Sequence, residues 1–137
     1  MKIHFLLPIL FVLVACNVSQ YRGNNIVTHK SSSLLDKIQG SWDAQKIEYA
    51  SGYVDKDPRR SFEFDLHGFF EVRFFYQGEY RIKSNLYEVE DDQIKLINKN
   101  TNEIFEIVEV VEITNQTFTI QSIFPKESKY TVHMIRS

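Results

Sequence analysis

The side chains with the most reactive potential in this chain are one thiol and four imidazoles. Cys16 is the only cysteine among 137 residues. A lone cysteine rules out an intrachain disulfide and leaves its sulfur available as a nucleophile. It ends the apolar run Phe5-Leu6-Leu7-Pro8-Ile9-Leu10-Phe11-Val12-Leu13-Val14-Ala15, which follows a start containing Lys2. A charged start, an apolar stretch and a small residue at the break are the parts of an export signal, here residues 1–15. The run is shorter than the ~20 residues that a membrane-spanning helix requires. The histidines fall apart from one another: His4 in the signal, His29 in a polar stretch, His67 in a turn and His133 in the last strand. No spacing among them fits a metal site, and no metal or cofactor is expected. There is no Gly-x-Ser-x-Gly elbow, phosphate loop or dinucleotide fingerprint. Glu63, Asp65, Glu71 and Glu79 interleave with Arg73 and Arg81 and are expected on one solvated face. There they would form cross-strand ion pairs of ~0.2–1 kcal/mol each, without a pocket in which to do acid–base work. A non-catalytic protein is expected.

Leu13-Val14-Ala15-Cys16 resembles the lipobox of bacterial lipoproteins. The resemblance implies cleavage before Cys16 and a diacylglyceryl group on its thiol. Each buried methylene contributes ~0.8 kcal/mol, and two acyl chains anchor stably where one does not. The implied partner is a membrane of the bacterial cell envelope. Asn17 stands where aspartate would retain an enterobacterial lipoprotein in the inner membrane, which favours the outer membrane.

Of the 16 basic residues Lys2 leaves with the signal, so 15 face 18 acidic ones and the net charge becomes −3. No basic run is present, and a nucleic-acid partner has no electrostatic support. Residues 16–33 carry Gly23-Asn24-Asn25 and Ser31-Ser32-Ser33 without periodicity. They read as a flexible tether, with an expected reach of about 20–25 Å. Residues 34–137 are long enough for one small domain with a modest core.

The elements of that domain are read from alternation of period two. Phe62, Phe64 and Leu66 alternate with Ser61, Glu63 and Asp65; Phe70, Val72, Phe74 and Tyr76 alternate with Glu71 and Arg73; Tyr80 and Ile82 follow. His67-Gly68 and Gln77-Gly78 mark hairpin turns. Further strands are expected at Gly40–Glu48, Gln93–Asn98, Glu103–Ile113, Thr117–Ser122 and Tyr130–Ile135, after a helical turn at Leu34–Ile38. The β-branched content of Glu103–Ile113 favours a strand over a helix, with a bulge near Glu106–Glu109. The sum is an all-β domain of about eight antiparallel strands. An up-and-down barrel leaves no open sheet edge; a flatter sheet or sandwich is the alternative.

Three local features together resemble the lipocalin-like lipoproteins of bacteria: Gly40-Ser41-Trp42 at the start of the first strand, the hairpin Phe62–Phe70 around Gly68, and Gly78-Glu79-Tyr80. The resemblance covers residues 34–136. It implies a barrel that encloses one small apolar ligand. Residues of the expected interior, as ligand lining or core, are Trp42, Phe62, Phe64, Phe70, Val72, Phe74, Tyr76, Tyr80, Ile82, Leu96, Phe118, Ile120, Tyr130 and Val132. Arg136 is placed to meet Trp42 by a cation–π contact. The other reading is a solid barrel acting as a scaffold or inhibitor through contacts with an envelope protein, with Phe69 and Phe75 as the apolar residues on its charged face.

Overall fold

The computed structural model describes residues 34–137; the signal segment, Cys16 and the tether lie outside them. Residues 34–38 form a short helix, followed by β1 (Gly40–Tyr49), β2 (Val54–Asp55), β3 (Arg60–Phe64), β4 (Phe69–Tyr76), β5 (Glu79–Glu90), β6 (Gln93–Ile97), β7 (Ile104–Ile113), β8 (Thr117–Phe124) and β9 (Tyr130–Arg136). Strands β3 to β9 each pair antiparallel with the next, and β9 returns to β1 from Trp42↔Arg136 to Tyr49↔Tyr130. β1 and β3–β9 thus close an eight-stranded up-and-down barrel. β2 is additional: β3 takes Gly40–Asp43 of β1, and β2 takes Ile47 and Glu48 on the same edge.

The turns follow from local chemistry. Gln77 and Gly78 both have positive φ, 51° and 84°, the geometry of the two-residue hairpin whose twist matches its strands. Before β4 the positive φ falls on Gly68 rather than His67. Asp65 organises that turn, its Oδ1 accepting from the backbone nitrogens of His67 at 2.8 Å and Phe69 at 2.9 Å.

β7 is one long strand, and its pairing is irregular at the expected position, where Ile107↔Phe124 is followed by Val108↔Ser122 against β8, and also on either side of it. Leu96↔Glu106 is followed by Ile97↔Ile104, which leaves Phe105 as the extra residue against β6. Val110↔Ile120 is followed by Glu112↔Thr119, which leaves Val111 extra against β8. The shift at Val111 places Glu112 outward, in phase with Glu109, while Glu106 keeps the inward phase of Val108. Glu103, Glu109 and Glu112 stay exposed, Val108 is buried, and Glu106 is drawn inward.

One end of the barrel is filled. Trp42, Ile38 and Phe118 are fully buried there. The Trp42 and Phe118 rings lie 5.1 Å apart, and Phe64 sits 5.0–5.1 Å from Phe70 and Tyr87. The helix crosses this end, and Trp42 Nε1 donates to the Ile38 carbonyl at 2.8 Å.

Candidate functional site

Above that floor the barrel is hollow. A cavity of about 290 Å³ occupies the opposite half, at the lower edge of the ~300–1,000 Å³ usual for ligand pockets. Its walls are apolar: Phe62 and Phe64 from β3; Phe70, Val72 and Phe74 from β4; Leu96 from β6; Phe105 and Val108 from β7; Ile120 from β8; and Val132 from β9. Five polar side chains join them, Arg60, Lys83, Asn85, Glu106 and Tyr130. Arg60, Lys83 and Phe105 are exposed and mark the mouth.

Glu106 is the electrostatic feature of the wall. Burial pushes its carboxyl up to about 7, against the opposing pull of the Arg60 guanidinium. The Tyr130 hydroxyl donates to its Oε1. Near neutral pH the group therefore changes between a hydrogen-bond donor and an anion. Arg60 and Lys83 set two basic side chains against this one carboxyl at the mouth.

Most of the expected interior residues meet in this half or in the floor. Trp42 and Phe118 belong to the floor; Phe62, Phe64, Phe70, Val72, Phe74, Leu96, Ile120, Tyr130 and Val132 line the cavity. Three do not. Tyr80 and Ile82 lie on the outer face, 53% and 62% exposed, and Tyr76 shares the inward phase but stands at the strand end, 50% exposed. The cause is register. The two-residue turn pairs Tyr76 with Glu79, Phe74 with Arg81 and Val72 with Lys83. Residues directly opposite across an antiparallel pair share a face, so the inward phase of β5 is Arg81, Lys83 and Asn85. Extending alternation through Tyr80 without that turn puts the strand one residue out of phase.

The same register removes the expected ion pairs across the meander. Glu63 faces Glu71, and Arg73 faces Ile82. Phe69 and Phe75 are exposed on the outer face, as alternation requires. His133 also lies outside, with Nε2 3.0 Å from Glu48 Oε2. Sequence reading missed Arg60, Lys83, Asn85, Phe105, Glu106 and Val108. Turn register could have found Lys83 and Asn85, and alternation along β7 could have found Glu106 and Val108, but Phe105 depends on a bulge. Among the described residues no group of His, Cys, Asp and Glu could hold a metal ion, and no helix is long and apolar enough to cross a membrane.

No protein-family model matches the chain, and no curated protein matches it. Solved structures are similar in fold. A lipocalin-like protein from Bacteroides uniformis superposes with a TM-score of 0.57 at 15% identity, over 74% of this chain and 99% of that one. An uncharacterized protein from Bacteroides eggerthii gives 0.55 at 15% identity, over 73% and 99%. At such identity the likeness establishes the lipocalin-like barrel and nothing of its ligand.

Proposed function

We propose that this chain is a lipid-anchored lipoprotein of the bacterial cell envelope whose barrel holds one small amphipathic ligand and catalyses nothing. The half-hollow interior carries this reading: an apolar cavity of about 290 Å³ with polar groups gathered at its mouth. Apolar walls with a few placed polar groups are how small-molecule sites achieve both affinity and orientation. The ligand's apolar body would lie against Phe62, Phe70 and Phe74. Its head would meet Arg60 and Lys83, which suit an acidic group. Asn85 and the Glu106–Tyr130 pair add further hydrogen-bond partners. A lipocalin-like fold is compatible with such a role.

The anchor rests on Leu13-Val14-Ala15-Cys16 at the end of the apolar run. Both halves of the reading are tested by mass spectrometry of the chain isolated from a bacterial envelope. Under denaturing conditions the mature N-terminus should be Cys16 carrying a diacylglyceryl group; an unmodified Cys16, or a start elsewhere, refutes the anchor. Under native conditions one small non-covalent adduct per chain is expected. A chain that carries none, and takes up none when offered acidic amphiphiles, refutes the ligand.

A further inference from the structure

The β4–β5 hairpin is not absorbed by the cavity. β5 pairs with β6 only from Leu86 to Glu90, while Glu79–Asn85 pairs with β4 alone. The ribbon therefore stands past the closed wall of the barrel, and residues 75–83 are all exposed. A two-stranded ribbon is marginal in water by itself, yet this one displays large apolar groups. Phe75 and Tyr80 meet edge to face at 5.2 Å on its outer face, beside Ile82, and Tyr76 is on the other.

Each ring carries a cation. Arg73 lies 4.6 Å from the Tyr80 centroid, Arg81 5.0 Å from Tyr76, Arg59 5.1 Å from Phe75 and Lys83 5.5 Å from Phe74. The acidic neighbours are few: Asp57 is 3.1 Å from Arg59, and Glu79 is 3.9 Å from Arg81. A positive, aromatic end thus sits on a chain whose net charge is −2.

We infer that this hairpin docks on the surface of an anionic lipid bilayer. Aromatic side chains with a polar tip settle at the headgroup level, and nearby Lys and Arg are attracted by anionic lipid. Exposed apolar clusters mark interaction sites, and this one has the charge a bilayer complements. A protein strand added to the free edge of β5 is disfavoured, because Arg81 and Lys83 stand along it and charged edges resist pairing. The docking does not depend on lipid attachment at Cys16. It has a consequence for the proposed ligand: Lys83 belongs to both the ribbon and the cavity mouth, so a docked hairpin brings the mouth to the headgroups.

The test uses the full chain with Tyr80→Trp, mixed with vesicles of phosphatidylglycerol or of phosphatidylcholine that contain a lipid-borne quencher. The unsubstituted chain supplies the background from buried Trp42. The introduced indole should shift to the blue and be quenched on phosphatidylglycerol, with both effects reversed by high salt. Adding Arg73→Gln, Arg81→Gln and Lys83→Gln should weaken the vesicle affinity read at that indole on the order of a hundredfold. Adding instead the charge-keeping Arg73→Lys and Arg81→Lys should retain most of it, which separates charge from misfolding. An indole that stays water-exposed on phosphatidylglycerol overturns the inference. So does equal quenching on both lipids that ignores the charge substitutions.

Discussion

The Arg136 guanidinium carbon lies 4.0 Å from the ring centroid of Trp42, directly across the seam where the last strand meets the first. Arg136 also donates from Nη1 to the Gln39 carbonyl at 2.7 Å, from Nη2 to Lys37 at 3.0 Å and from Nε to Asn115 at 3.0 Å. One side chain thus closes the barrel, holds the short helix over the filled end and covers the buried indole. Gly40 leaves room for it: a Cβ there would come within 3.0 Å of Arg136 Nη1, at a φ of +102° that other residues rarely adopt.

Arg136→Ala should therefore destabilise the fold by about 2–4 kcal/mol, since three carbonyls and an aromatic face lose a charged partner. Arg136→Lys should recover little, because an ammonium cannot reproduce the planar fork. Denaturant unfolding checks both. Gly40→Ala should show a similar loss.

The two halves of the barrel should respond differently to truncation. Phe118 is buried in the filled end, and Phe118→Ala should cost ~3–5 kcal/mol. Phe74 stands half-buried on the cavity wall, so Phe74→Ala should cost less and should instead weaken ligand binding. Thermal unfolding with and without ligand separates the two effects.

Stability should depend on pH through Glu106. Its carboxyl is raised from 4.5 to about 7, so the folded chain holds that proton more tightly than the unfolded one. The contribution is present in full below about 4.5 and is lost as pH rises through about 7. Solvent screening at this partly exposed site reduces the effect to about 1–2 kcal/mol. Glu106→Gln should flatten that slope in unfolding measurements made between these limits.

Ser122 is buried with its hydroxyl unpartnered among the described residues. An unsatisfied buried hydroxyl costs about 1–3 kcal/mol. Ser122→Ala should therefore leave stability unchanged or raise it, as read by the melting temperature.

The barrel was legible because alternation, turn glycines and β-branched strands all agree at Phe62–Tyr76, Thr117–Ser122 and Tyr130–Ile135. The Arg136–Trp42 closure was also accessible, since an up-and-down barrel brings its last strand to its first. The polar part of the cavity was not. Lys83 and Asn85 face inward only because Gln77-Gly78 makes a two-residue turn, and a slip of one residue exchanges the faces of a strand. Glu106 shares the inward phase of Val108 by plain alternation, but the three-residue spacing of the glutamates obscures it, and Phe105 enters the cavity wall only because it is the extra residue where β7 shifts against β6. A bulge is set by packing around the whole barrel, and periodicity over a few residues does not locate it.

The hollow half of the barrel is tested most directly by the stoichiometry of an acidic fluorescent amphiphile, an anilinonaphthalene sulfonate, titrated into the folded chain and into Val72→Trp. Val72 lines the cavity, and an indole there fills it. The unsubstituted chain should bind one molecule saturably, and Val72→Trp should bind none while remaining folded. Equal binding by both, or no saturable binding by either, contradicts the account.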